Sequence, residues 1–186
     1  MYSLYDAIGD VSELVARAKE LGYDAIALTD HASLYGAIEF YEAAKKAGIK
    51  PIIGVEAYIA PNSHTDRRAG IDNHVSHLTL LAETNEGYHN LLQLISCSYL
   101  DGFYYKPRMD KELLRTYHGG IIALSGCAKG EIAKACQAHD LEKAEQVIRQ
   151  YQEIFGPEHF FLELVHRPES PTQLDINEQL ITLGGR

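Results

Sequence analysis

Two stretches, Ala25-Ile26-Ala27-Leu28-Thr29-Asp30-His31 and Pro51-Ile52-Ile53-Gly54-Val55-Glu56-Ala57-Tyr58-Ile59, decide the fold class. Each holds an apolar run of strand length, the first stopping abruptly in polar residues, the second broken by Gly54 and carrying Glu56 inside it. Between them, over about residues 34–47, apolar side chains recur at helical spacing. Lys45 and Lys46 stand near the C-terminal end, where the helix dipole favours cations, and Gly48 follows. Strand, helix and strand in that order form the repeating unit of an α/β sheet.

The same alternation extends in both directions. Upstream, Asp10 and Glu13 have capping-box spacing at the head of an amphipathic run that Gly22 stops. Residues 60–75 read as a polar loop, 77–82 as a strand, and Asn85 as the cap of a helix reaching about residue 97. A second loop, 99–108, is rich in aromatic and basic side chains. Asp110 caps a short helix, 120–124 is a strand ended by Ser125-Gly126-Cys127, and helices are expected over 131–137 and 141–154. A strand over 160–165 and a helix from about residue 172 complete the series. No fixed-period repeat or linker divides the chain, so one α/β domain is expected over residues 1–186.

Composition narrows the function classes. With 46% apolar and 23% charged residues among 186, the chain has the make-up of a globular domain rather than a disordered one. No apolar run approaches the roughly 18–20 residues needed to span a membrane. The N-terminus is neither basic nor followed by an apolar segment, so a cytoplasmic protein is expected. A net charge of −9 argues against binding nucleic acid by bulk charge, though not against a local basic patch. Cys97, Cys127 and Cys136 are an odd number without close pairing and imply no disulfide framework.

Polar and metal-binding residue types recur where strands end: Asp30 and His31, Glu56, Cys127, and His166. Sites in parallel α/β folds are built at the C-terminal strand ends, where the connecting loops converge. Imidazole, carboxylate and thiolate donors on one rim suit zinc-like ions, which polarise phosphoryl oxygens and bring bound water to a pKa of about 7. Each residue also has an ordinary reading. Asp30-His31 is equally a helix cap with a partnered histidine, and His77 a polar strand edge. Cys127 is equally a small buried side chain. Glu56, flanked by Ile52, Ile53, Val55 and Tyr58, needs a partner in either case, a metal or a buried cation. His64, His74, His89, His118, His139 and His159 read as solvated. Residue chemistry alone leaves the metal site open.

A run of motifs carries a resemblance. Tyr2-Ser3-Leu4-Tyr5-Asp6, Ala27-Leu28-Thr29-Asp30-His31, Gly36-Ala37-Ile38-Glu39-Phe40-Tyr41 and Gly48-Ile49-Lys50-Pro51-Ile52-Ile53-Gly54-Val55-Glu56-Ala57-Tyr58 come first. His77-Leu78-Thr79-Leu80-Leu81-Ala82, Phe103-Tyr104-Tyr105-Lys106-Pro107-Arg108 and Leu124-Ser125-Gly126-Cys127-Ala128-Lys129-Gly130-Glu131 continue it. Together they resemble the polymerase-and-histidinol-phosphatase (PHP) domain found at the N-terminus of bacterial replicative DNA polymerase III alpha subunits. The resemblance covers essentially the whole chain.

It implies an irregular α/β fold, a (βα) barrel with a parallel-rich sheet and a metal cluster at its C-terminal rim. Asp6, His31, Glu56, His77 and Cys127 are the implied ligands, and Asp30 an acid that orients them. The implied cofactors are divalent ions, zinc first, with manganese or iron admitted by the same donors. The family's His-x-His motif would precede Tyr2 and its Asp-x-His motif would follow Arg186, so a domain truncated at both ends, its barrel incomplete, is expected. Ala32 stands where the family commonly has glycine, which stiffens the turn after His31. The implied activity is metal-dependent phosphoester hydrolysis, as a 3′–5′ exonuclease that proofreads during DNA replication. The alternative is a non-catalytic domain that docks a separate proofreading subunit. Tyr104, Tyr105, Lys106 and Arg108 are candidates for contacting DNA or a neighbouring domain. DNA and the rest of a polymerase chain are the implied partners.

Overall fold

The computed structural model describes residues 9–185. Asp10 begins it as expected: its carboxylate accepts the Glu13 N–H while the Glu13 side chain accepts the Asp10 N–H, a closed capping box. Helix α1 (Val11–Glu20) then lays Val11, Val15 and Ala18 against α2 (Ala37–Ala47). Strand β1 (Ala25–His31) runs parallel to β2 (Lys50–Ile59), from Ala25 beside Lys50 to His31 beside Glu56. The strand–helix–strand unit is therefore present as read.

Strand β3 (Ser76–Ala82) returns antiparallel to β2, with Glu56 opposite Thr79 and Tyr58 opposite His77. After α3 (Asn85–Leu100) comes a hairpin, β4 (Phe103–Tyr104) and β5 (Lys106–Met109). Short α4 (Lys111–Thr116), β6 (Ile121–Leu124), α5 (Glu131–Gln137), α6 (Leu141–Phe155), β7 (Phe160–Phe161) and α7 (Pro171–Gly184) follow. The α/β class stands, and the sheet is open, running β4-β5-β2-β3-β6-β7 with β1 also on β2.

Its directions are more evenly mixed than the parallel-rich expectation. β1·β2, β2·β5 and β6·β7 are parallel, whereas β2·β3, β3·β6 and β4·β5 are antiparallel. The cause is the link between β2 and β3, residues 60–75, which carries no helix. Parallel neighbours need a crossover, usually helical, that packs back on the sheet. Strand β7 is also shorter than expected. Its partner β6 turns away at Ser125, and Glu163 N–H bonds the Ser125 hydroxyl instead of a ladder carbonyl.

Alternation divides β2 between two environments. Val55, Ala57 and Ile59 join Leu78, Leu80 and Ala123 in the main core under α3, α5, α6 and α7, while Glu56 and Tyr58 face the other way. One edge of β2 is shared end to end. β1 occupies it as far as Glu56, and β5 takes over at Tyr58, beside Arg108.

The 99–108 segment is better ordered than a loop, because α3 runs on to Leu100 and the hairpin follows. Thr84, not Asn85, caps α3, its hydroxyl accepting the Gly87 N–H. Gly87 itself touches the backbone of Gly120: a methyl there would lie 1.8 Å from the Gly120 oxygen. Gly87→Ala is expected to cost about 3 kcal/mol, since backbone must move on both sides. A urea midpoint unchanged from the parent would contradict that packing.

Candidate metal centre

The rim at the end of β2 gathers side chains from four segments. Glu56 stands at the centre. Its Oε1 lies 2.5 Å from His77 Nδ1, at the start of β3, and its Oε2 lies 2.8 Å from His31 Nδ1, at the end of β1. Cys127 Sγ is 3.7 Å from both Glu56 Oε1 and His77 Nδ1. Local folding explains each arrival. His31 is delivered where β1 ends, because the next residue, Ala32, takes φ 47° and its N–H bonds the Glu56 carbonyl. Cys127 comes from the turn after β6, which lies directly on β3: His77 N–H bonds the Lys129 carbonyl. Gly126, at φ 79°, sits so close that a Cβ would meet the His77 oxygen at 2.9 Å.

Ligand atoms of Glu56, His77 and Cys127 lie within 4.8 Å of one another. The 3.7 Å separations from sulfur are near the roughly 3.5 Å edge of a tetrahedral zinc site with one thiolate and one imidazole. Carboxylate, imidazole and thiol together are a borderline-soft donor set, which fits zinc, manganese or iron. The rim is also open, with the side chains of His31 26% and Glu56 20% exposed.

Electrostatics fit the same reading. Burial pushes the Glu56 carboxyl up, but the hydrogen bond and charge of His77, with His31 and the Cys127 thiol, outweigh it and hold the group below its ordinary value. Burial pulls His77 down, yet its bonds to Cys127 and Glu56 raise it to about 9. Protons fill the places that a cation would take.

Of the expected ligands, His31, Glu56, His77 and Cys127 therefore converge, whereas Asp6 lies outside the described residues. Asp30 is buried, beside Val55 in the pairing of β1 with β2, and so on the opposite side of β1 from His31. His166 is exposed on the segment after β7.

Arg108 requires a correction. Expected on a contact surface, it is 0% exposed, and its guanidinium donates to the carbonyls of Gly102, Asp72, His64 and Asp66. Four carbonyls of the 60–75 loop and the α3–β4 junction need donors, and a guanidinium supplies them in one plane. His64 also differs from its solvated reading: its backbone N–H and ring meet Asp110 at 2.7 and 2.5 Å.

Two residues of the site were not singled out in the sequence. The Tyr58 ring stacks parallel to His31 (6.2 Å, 5°) and meets His77 edge-on (5.2 Å). Glu163 reaches the row beside Glu56, accepting the Thr79 hydroxyl at 3.2 Å. Burial raises its pKa, Thr79 opposes that, and the charge of Glu56 adds to the rise. Glu163 carried the signal that marked Glu56, a carboxylate within an apolar run.

The family model of the PHP domain matches residues 1–167. The chain belongs to the PHP family. This PHP domain is 45% identical to the DNA polymerase III subunit alpha of Borreliella burgdorferi, over 97% of its own length and 16% of that relative's. It is 43% identical to the DNA polymerase III subunit alpha of Thermus aquaticus, over 96% of its length and 15% of the relative's. The chain thus spans about a sixth of the curated relatives it matches. A solved structure described as a metal-dependent phosphoesterase, from Bifidobacterium adolescentis, covers 97% of the PHP domain with a TM-score of 0.52 at 15% identity. That likeness supports the fold. No described helix is long and apolar enough to cross a membrane.

Proposed function

We propose that residues 1–186 are the PHP domain of a DNA polymerase III alpha subunit, and that this domain is a metal-dependent phosphoesterase acting as a 3′–5′ exonuclease. The observation that carries the reading is the convergence of His31, Glu56, His77 and Cys127 on one open rim. Asp6 would complete the set that the family resemblance implies, and zinc is the favoured ion. A bound divalent ion would supply Lewis-acid polarisation of the phosphate and a water acidic enough to attack it.

The chain's own residues do the rest. Glu56 offers one oxygen to the His77 side and the other to the His31 side, so it addresses the whole width of the rim. The cysteine and histidines must lose their protons to hold a cation, and Glu56 keeps the local charge negative while they do. Glu163, half-buried beside Thr79, contributes a further carboxylate at the inner wall. DNA and the remainder of the polymerase chain are the partners this role requires, in the cytoplasm where replication takes place.

The test is incubation of the full-length protein with a 5′-labelled single-stranded oligonucleotide in the absence of nucleotides. A ladder shortened from the 3′ end, abolished by a chelator and by His31→Ala, is the expected result. A protein that carries metal but leaves the oligonucleotide intact would overturn the exonuclease reading. It would favour a domain that docks a separate proofreading subunit.

A further inference from the structure

We propose that Lys106 is the phosphate-binding cation of this metal centre, held in place by the ring of Tyr58, and that its ligand is the phosphodiester of a nucleic acid strand. The inference rests on the metal-centre reading above. Tyr58 is the last residue of β2 to face the rim, packed against His31 and His77. The Lys106 ammonium lies 5.2 Å from the centre of its ring, within cation–π range. The β2·β5 register explains the approach: Tyr58 pairs with Arg108, and Lys106, two residues earlier, is where β5 begins. The cation therefore enters at the point where β1 gives way to β5.

An ammonium beside a cation-binding rim is electrostatically unfavourable on its own, because it repels a bound dication. Among the described residues it is offset by the face of Tyr58 and by no ion pair. An anion placed between Lys106 and the rim resolves the conflict, since it is attracted from both sides. Phosphate has the charge and the oxygen count to be shared in this way.

The hairpin tip adds the rest of the substrate's identity. It turns at Tyr105, a bulky residue at φ 60°, in the left-handed region that such side chains rarely occupy. That strain holds an aromatic ring 72% exposed beside the lysine, packed edge-on against Tyr104. A base stacked on an exposed tyrosine with its phosphate on a neighbouring lysine is the arrangement that single strands favour.

The full-length protein, loaded with manganese and freed of unbound metal, tests this through ³¹P relaxation of added phosphate. Inorganic phosphate binding beside the ion is expected to weaken five- to tenfold in Lys106→Ala and to return within twofold of the parent in Lys106→Arg. Lys50→Ala, at the far end of β2, serves as the charge control and should match the parent. Tyr105→Ala should weaken thymidine 5′-monophosphate while leaving inorganic phosphate unchanged. Normal manganese content with unaltered phosphate affinity in Lys106→Ala would overturn the inference and leave the metal centre standing. A parent protein that takes up neither manganese nor zinc would instead overturn both.

Discussion

Glu56→Gln in the full-length protein is expected to lower its affinity for divalent metal by at least about a hundredfold, since even residues that only support metal ligands are worth 10–100-fold. Phosphodiester hydrolysis should fall with it. Glutamine keeps the shape of the side chain but replaces an anion that both His31 and His77 face. One of its two terminal atoms becomes an NH2 donor, aimed at a ring nitrogen or at the cation itself. Elemental analysis of the purified variant reads the loss directly, and a metal content equal to the parent's would contradict the assignment.

The metal-free protein offers an independent readout of the same substitution. His77 titrates at about 9, above its ordinary 6.5, with Glu56 and Cys127 as the raising partners. A group raised on folding adds stability that is complete below its unfolded pKa and disappears as pH climbs through its folded one. The parent should therefore lose stability between about pH 6.5 and 9, and Glu56→Gln should lose less of it over that window. Imidazole chemical shifts followed by NMR should show the His77 titration moving down in the variant.

The second large effect is structural. Arg108→Ala is expected to cost about 3–5 kcal/mol, because truncation leaves buried carbonyls without donors as well as an empty space. Three of those carbonyls, from His64, Asp66 and Asp72, belong to the long connection between β2 and β3, and the fourth, from Gly102, belongs to the turn into the hairpin. Arg108→Lys should recover only part of the loss, since an ammonium cannot span the four acceptors that a planar guanidinium reaches. Equilibrium unfolding in urea measures both variants. A cost below about 1 kcal/mol for alanine would mean that the loop is held by the His64–Asp110 contact instead.

Much of this architecture was legible in the sequence because it is local. The Asp10–Glu13 cap, the helical periodicity before Gly48 and the apolar runs around Leu28 and Val55 each state their structure within a few residues. Glu56 was legible for a different reason: a carboxylate among aliphatic neighbours demands a partner, and two histidines supply it. Strand direction was missed although its signal was present: residues 60–75 read as a polar loop, and a link without a helix favours an antiparallel return. Arg108 misled because composition marks a basic and aromatic segment without saying which side chains turn inward. That choice depends on four carbonyls brought from residues 64, 66, 72 and 102. Tyr58 was hidden by its strand position, read as apolar packing when it is the ring that joins two histidines.

The rim is stitched together from distant parts of the chain: Glu56 meets His77 across 21 residues and Cys127 across 71, and Thr79 meets Glu163 across 84. Contacts of such span carry a loop-closure cost that must be met before they contribute, so they form late in folding. On a ribosome adding about 5–20 residues each second, β1 and β2 can pair well before Cys127 has been made. At the proposed metal centre, capture of the ion is then a finishing event, and a nascent chain would pass through a stage with β1, β2 and β3 paired and Cys127 still to be made.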